Sequence, residues 1–143
     1  MQLNDSRIFS DLCQNIVNND NIVLHSDGSA IRAFCYIADA VIAFFKILLD
    51  GEPATAYNVG GDETHETSMC NLAEMLVALF PERNLKVVYD IDKSDAVYGI
   101  MRSSVERKYP SLKRISALGW HQKYDLRSMF RRTIESLELD KYK

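Results

Sequence analysis

The chain has 143 residues, of which 47% are hydrophobic and 26% are charged, and its formal net charge is −3. This average globular composition excludes a disordered or low-complexity chain, and the length suits one domain over residues 1–143. The longest apolar stretch, residues 38–49, is too short to cross a bilayer. The N-terminus lacks the basic and apolar segments of a secretory signal, so we expect a cytoplasmic protein without membrane contact.

The charges are unevenly distributed. Residues 1–100 contain 6 basic and 15 acidic side chains, whereas residues 101–143 contain 11 basic and 5 acidic ones. Such a basic tail suits an anion, but aromatic residues do not interleave with the basic ones, so we predict no nucleic-acid partner. Three widely spaced cysteines in apolar surroundings predict reduced thiols rather than a disulfide framework.

The first half of the chain predicts two helices and short strands. Apolar residues at helical spacing indicate a helix over residues 5–19, followed by a strand at Ile22–Leu24. Residues 31–37 are typical of an extended segment. Asp39 stands where a cap or first-turn acid favours the next helix, which the pattern ends at Leu49.

The second half continues the alternation. We predict strands at residues 57–59 and 85–89, with a polar loop over residues 62–66 between them. Thr67 or Ser68 can cap a helix that Pro81 ends. Residues 110–118 and the segment after Asp125 predict the last two helices, so the class is α/β, with short strands and about five helices.

Two segments resemble a known family. Residues 26–40 (SDGSAIRAFCYIADA) are similar to the "GDGSQTRSFCYVxDL" segment of extended short-chain dehydrogenases/reductases that act on nucleotide sugars. Residues 56–60 (AYNVG) and 118–120 (LGW) match that family's "YNVG" and "LGW" landmarks in the same order. The resemblance covers essentially the whole chain, and the first segment is the most specific.

The resemblance implies the C-terminal, substrate-binding portion of an NAD-dependent epimerase, dehydratase or decarboxylase with a Rossmann-type parent fold. Residues 1–9 resemble the stretch that follows the family's "YGP" triplet, so we expect the preceding half to be missing. The arginine-containing motif looks closest to the UDP-glucuronate decarboxylase and dTDP-glucose 4,6-dehydratase branch. NAD is then expected in the full-length parent and not on this fragment, and the parent is expected to form a homodimer through the missing domain.

The catalytic patterns of that family are absent from this sequence. No G-x-x-G-x-x-G or G-x-G-x-x-G spacing occurs, so the turn that receives a dinucleotide pyrophosphate is missing. The string Y-x-x-x-K occurs at Tyr89–Lys93 and at Tyr109–Lys113, but acidic neighbours surround the first and Pro110 interrupts the second. We therefore predict no catalytic residue, no cofactor-binding residue and no metal ligand in this chain.

Four residues are the predicted contacts to the nucleotide sugar. By resemblance, Arg32 takes the position of the arginine that clamps the diphosphate, and its planar fork suits phosphate oxygens. Arg102 lies near a second phosphate-binding arginine of the family, with Arg107 as a competing candidate. His25 stands where relatives carry an aromatic residue against the nucleobase, and Arg7 leads into the first helix, where it can reach the nucleotide or serve as a surface residue.

Two functions remain open at this point. One is the nucleotide-sugar-binding part of an NAD-dependent enzyme, inactive as a fragment. The other is a stand-alone, non-catalytic module that binds nucleotide sugars or other anions. Detectable turnover by the chain would exclude an inactive fragment of an enzyme. Tight nucleotide-sugar binding by the isolated chain would favour the stand-alone module.

Overall fold

The structure, a computed structural model, describes residues 7–90 and 110–141. Short strands and helices alternate within these ranges, as the sequence predicts for an α/β chain. The elements, in chain order, are α1 (Ile8–Asn18), β1 (Ile22–Leu24), β2 (Ile31–Ala33), α2 (Ile37–Asp50), β3 (Glu66–Ser68), α3 (Met69–Leu79), β4 (Val87–Tyr89), α4 (Lys113–Ala117) and α5 (Leu126–Lys141). Two short 3-10 helices, Glu63–His65 and Pro81–Arg83, precede β3 and follow α3.

The ends of the helices follow from single residues. Asn19 adopts the left-handed conformation, with φ 59°, and its N–H reaches the last carbonyls of α1. Ser68 caps α3 by accepting from the Asn71 N–H at 3.1 Å, as predicted. Asp125 likewise accepts from the Ser128 N–H at 2.8 Å at the start of α5. Gly119, with φ 78°, closes the turn after α4.

β1 and β4 form a parallel pair. Ile22 lies opposite Val87, and Leu24 lies opposite Tyr89. Ile22 and Leu24 point into the core while Val23 is exposed, so the alternation of a half-buried strand is present in β1. Both strands were predicted, and β4 is two residues shorter than its predicted range.

β2 and β3 form a separate antiparallel pair, which the sequence predicted only in part. The extended segment predicted over residues 31–37 contains a three-residue strand, Ile31–Ala33, and α2 begins at Ile37, where the predicted segment ends. The Phe34 N–H donates to the His65 carbonyl at 3.2 Å. The loop predicted over residues 62–66 is instead a 3-10 turn that leads directly into β3, where Glu66 lies opposite Ala33.

The strand predicted at residues 57–59 was also wrong. No ladder forms there within the described residues, although the apolar side chains are used. Tyr57 and Val59 pack on a small cluster, and the Asn58 side chain donates to the Ser111 carbonyl at 3.1 Å. The extended sequence pattern is satisfied by side-chain packing without a neighbouring strand.

Two groups of buried residues form the interior. The larger joins α1, β1, α3 and α5 and includes Leu12, Ile22, Leu76 and Phe130. The smaller consists of Ala43, Ile115 and Trp120, with partly buried neighbours that include Ile47 and Leu112. All three cysteines are free thiols, as predicted, but only Cys13 is fully buried, whereas Cys35 and Cys70 are half-buried.

The segment between α4 and α5 forms two hydrogen bonds with the start of α2. The Trp120 indole N–H donates to the Asp39 carbonyl at 3.0 Å, and the Tyr124 N–H donates to the Asp39 carboxylate at 3.1 Å. Asp39 lies in the first turn of α2, where an acid favours the helix dipole, and it is 1% exposed. The structural role predicted for Asp39 is thus confirmed, as a first-turn acid that also accepts a backbone hydrogen bond.

Candidate nucleotide-sugar site

The carboxyl ends of β1 and β4 bring His25 and Asp90 together. Each residue directly follows its strand, and the Asp90 N–H donates to the Leu24 carbonyl at 2.9 Å. The His25 Nδ1 atom lies 4.0 Å from an Asp90 carboxylate oxygen, with the two side chains 35% and 29% exposed. In open α/β proteins ligands bind beyond the carboxyl ends of parallel strands, so we expect a ligand site at this edge.

The turn over residues 26–29 lies at the same edge. The Asp27 carboxylate accepts from the Ser29 N–H at 3.0 Å and from the Ser29 hydroxyl at 2.8 Å. Gly28 has φ 71°, a left-handed conformation that favours glycine. Its carbonyl accepts from the Cys70 N–H at 3.0 Å, which fixes the turn against the N-terminus of α3.

The contact between Gly28 and α3 leaves no space for a side chain. A Cβ atom on Gly28 would lie 2.9 Å from both the N and the Cβ atoms of Cys70. Real Cβ atoms essentially never approach so closely, and here the obstacle is backbone. The glycine of the "DGS" segment therefore has a structural reason as well as a place at the candidate site.

Tyr89, the last residue of β4, does not have the properties of a general base. Its hydroxyl lies 2.9 Å from the Cys70 sulfur, and this hydrogen bond, more than any other interaction, raises the pKa of Tyr89 above its usual value. A catalytic tyrosine of the Y-x-x-x-K type needs the opposite shift. Lys93 and Tyr109, the other members of the two sequence matches, lie outside the described residues.

Arg32 occupies the centre of β2, three residues beyond Ser29. It is half-buried, and it lies opposite Thr67 of β3. One guanidinium nitrogen donates to the Ile31 carbonyl at 2.7 Å, and no carboxylate of the described ranges forms an ion pair with it. Because a guanidinium has five N–H donors, most of them remain for another acceptor.

The other predicted contacts are less well placed by the structure. Arg7 is exposed at the N-cap position of α1, and its carbonyl accepts from the Asp11 N–H at 3.0 Å. Arg102 and its competitor Arg107 lie outside the described residues. Of the four predicted residues, His25 adjoins the turn and Arg32 follows it along the chain, whereas Arg7 stands at the start of a different element.

A second surface feature, which the sequence did not predict, lies between the 3-10 turn and α4. It is an open depression of about 650 Å³. Its lining residues are Asp62, Glu63, Thr64, Pro110, Ser111, Leu112, Lys113, Ser116, Trp120, His121 and Gln122. Only the acidic character of residues 62–66 was visible in the sequence, because the depression forms from segments about 50 residues apart.

Asp62 and His65 form a local pair beside this depression. The Asp62 carboxylate lies 2.7 Å from His65 Nδ1 and accepts from the Thr64 N–H at 2.9 Å. Partial burial opposes ionisation, but hydrogen bonds from His65 and Thr64 outweigh it and hold the pKa of Asp62 below its usual value. In the part of the chain that is described, no three His, Cys, Asp or Glu side chains come together as a metal site.

Comparisons with known proteins identify relatives of this chain. Residues 1–60 match the model of the NAD dependent epimerase/dehydratase family. The chain is 32% identical over 119 residues to dTDP-D-glucose 4,6-dehydratase of Mus musculus, and 31% identical over 121 residues to the Homo sapiens protein of the same name. These matches include 82% of this chain and about a third of each relative, so the chain spans a third of their length.

Solved structures show the same fold. A GDP-L-fucose synthetase from Naegleria fowleri superposes with a TM-score of 0.76 at 16% identity, over 99% of this chain and 42% of that one. The UDP-glucose 4-epimerase of Thermotoga maritima, solved with UDP-glucose, gives a TM-score of 0.72 at 18% identity, over 95% of this chain and 40% of that one.

None of the helices in the described ranges has the length and apolar character needed to cross a membrane.

Proposed function

Because this chain belongs to the NAD-dependent epimerase/dehydratase family, we propose that it forms the nucleotide-sugar-binding portion of such an enzyme. The observation that carries the proposal is the turn over residues 26–29, fixed against α3 at the carboxyl end of β1, with His25 before it and Arg32 after it. The segment over residues 25–32 thus carries an aromatic ring and a guanidinium on either side of a glycine turn, groups that suit a nucleobase and a diphosphate.

Arg32 is the proposed diphosphate ligand. A planar guanidinium can make two parallel hydrogen bonds to phosphate oxygens, and charge-assisted bonds of this kind are about twice as strong as neutral ones. The bond to Ile31 holds one nitrogen of the group in place, which reduces the freedom lost when an anion binds. Arg102, or Arg107 in its place, and Arg7 are proposed as additional cationic contacts to the nucleotide.

His25 is the proposed partner of the nucleobase. Its ring is about one-third exposed, and Asp90 lies close to one of its nitrogens. An imidazole can offer its face for stacking on a base, although with less area than a tyrosine ring. A nucleotide-linked hexose of the dTDP or UDP type is accordingly the proposed ligand.

Catalysis is proposed to need residues outside this chain. The parent enzyme would oxidise C4 of the nucleotide-linked hexose with NAD and then epimerise, dehydrate or decarboxylate the sugar. This sequence has no glycine-rich turn for a dinucleotide, so its residues do not fit NAD and no step through NAD is assigned to them. The raised pKa of Tyr89 also opposes a role as base. A homodimer of the parent would form through the part that this chain lacks.

Ligand titration followed by NMR tests the proposal. We expect dTDP-glucose and UDP-glucuronate to bind the purified chain weakly, with Kd near ~1 mM, because only one side of the cleft is present. Replacing Arg32 with Ala should weaken binding about tenfold or more, since one charge-assisted phosphate contact is lost. Arg127→Ala, which removes an exposed arginine from α5, is the matched control and should leave Kd within about twofold.

Three results would contradict the proposal in different ways. Equal affinities for Arg32→Ala and Arg127→Ala would remove Arg32 from the site. Turnover of either sugar nucleotide by the chain supplied with NAD would show that catalysis does not need the rest of the parent. Binding of about 1 µM or tighter by the isolated chain would instead favour the stand-alone module.

A further inference from the structure

The pairing of β2 with β3 places Thr67 directly across from Arg32. The two strands are antiparallel, and these two residues are partners in their register. Residues that lie opposite each other in an antiparallel pair project their side chains from the same face. The Thr67 hydroxyl is therefore presented on the face that carries the Arg32 guanidinium.

The hydrogen bonds on either side of this pair indicate its spacing. The Phe34 N–H donates to the His65 carbonyl at 3.2 Å on one side, and the Met69 N–H donates to a β2-side carbonyl at 3.1 Å on the other. Bonded and non-bonded pairs alternate along an antiparallel ladder, so Arg32 and Thr67, midway between these bonds, form a bonded pair. Their Cα atoms are then about 5.5 Å apart, which is close enough for both side chains to reach one phosphoryl group.

The Thr67 hydroxyl makes a long hydrogen bond that a ligand can replace. It donates to the Ser68 carbonyl at 3.3 Å, whereas bonds of this type are commonly about 2.7–2.8 Å long. A hydroxyl has one donor and two acceptor positions, and its hydrogen rotates to suit the partner. Thr67 and Arg32 are both half-buried, and a bond from such a hydroxyl to an anionic oxygen is shorter and stronger than one to a neutral carbonyl.

We propose that Thr67 is a second ligand of the phosphoryl group that Arg32 binds. The guanidinium supplies the charge, and the hydroxyl donates one hydrogen bond to a phosphate oxygen from the neighbouring strand. A guanidinium alone accepts planar carboxylates as well as phosphates. A second donor on a different strand favours a tetrahedral anion, so Thr67 contributes selectivity for phosphate over carboxylate. This inference rests on the nucleotide-sugar function proposed above.

Titrations of the full chain with UDP, inorganic pyrophosphate and malonate, followed by NMR, test the inference. Thr67→Val removes the hydroxyl and keeps the shape, and it should raise the Kd of UDP and of pyrophosphate about tenfold. The Kd of malonate, a planar dicarboxylate, should change less than about twofold. Thr67→Ser keeps the hydroxyl and should bind as the unchanged chain does. Thr133→Val is the matched control, because its hydroxyl donates to the Met129 carbonyl within α5.

A double-mutant cycle with Arg32→Ala tests whether the two residues share one phosphoryl group. If they do, the double variant should lose less affinity than the product of the two single losses, whereas losses that multiply would overturn the shared contact. Valine suits a strand, and circular dichroism checks that each variant is folded. Thr67→Ala provides the same test in a second background.

Two outcomes separate this inference from the proposed function. A tenfold loss with Arg32→Ala, beside unchanged UDP and pyrophosphate affinities for folded Thr67→Val, would overturn the role of Thr67 and leave the nucleotide-sugar site in place. An unchanged chain that binds neither UDP nor pyrophosphate would overturn both. Equal losses for pyrophosphate and malonate would contradict the selectivity assigned to Thr67.

Discussion

The replacement of Gly28 with Ala tests how the candidate turn is held. Gly28 has φ 71°, and the left-handed conformation costs an alanine about 1–2 kcal/mol. The added Cβ would also lie 2.9 Å from the N and Cβ atoms of Cys70, an overlap that we estimate at about 1–3 kcal/mol. We expect the free energy of unfolding to fall by about 2–5 kcal/mol in total, measured by urea denaturation followed by circular dichroism.

Gly119→Ala is the matched control. Gly119 has nearly the same φ, 78°, but the nearest atom to an added Cβ is the Lys46 Nζ at 3.7 Å, which is ordinary contact. That variant should therefore lose only the conformational part, about 1–2 kcal/mol. Cys70→Ala should not restore the Gly28 variant, because the overlap involves backbone and Cβ atoms. Equal losses at the two glycines would refute the close approach of the turn to α3.

Three further predictions concern buried and capping groups. Asp39→Ala should lower the free energy of unfolding by ~2–3 kcal/mol, because the Tyr124 N–H loses a charged acceptor. Asp11→Ala is the control: Asp11 lies in the exposed first turn of α1, and its loss should cost less than ~1 kcal/mol. Asp125→Ala should remove about 1 kcal/mol by loss of the α5 cap, and stability differences between pH 7 and pH 3 should shrink in that variant. The hydrogen bond from Ser128 lowers the pKa of Asp125 below 3.8, so its stabilisation is present above that pH and is lost as the pH falls through the folded value. Burial raises the pKa of Cys13 to about 12, so the native chain at pH 8 should not react with iodoacetamide at Cys13, whereas the chain unfolded in urea should. Mass spectrometry of the Cys13 peptide measures the modification, and modification in the native chain would contradict the burial of Cys13.

The helices were predictable because their signals are local. Apolar spacing, the Ser68 and Asp125 caps and the Gly119 turn each act within one or two helical turns, and each is found where the sequence placed it. The strands were harder because a strand needs a partner that the local pattern does not reveal. The segment 57–59 has strand-like residues but no ladder in the described ranges, whereas residues 66–68, predicted as the end of a loop and a helix cap, pair with β2.

The candidate site was predictable in part. Resemblance to a family motif selected Arg32 and His25, and the structure adds the reason for the glycine between them, which is the contact with Cys70. The proximity of His25 to Asp90 was not predictable, since it depends on the parallel register of strands more than 60 residues apart. The depression beside α4 was missed for the same reason, because its two sides are distant in the sequence.

The two hydrogen bonds to Asp39 have a consequence for how the chain opens. The small cluster around Trp120 lies apart from the larger interior, and clusters of this kind can open as separate units. The bonds from Trp120 and Tyr124, together with the edge-to-face packing of Tyr36 on Tyr124 at 4.9 Å, join the first turn of α2 to the first turn of α5. We therefore expect the two clusters to open together, with the amide protons at both helix starts exchanging with solvent in a single shared step.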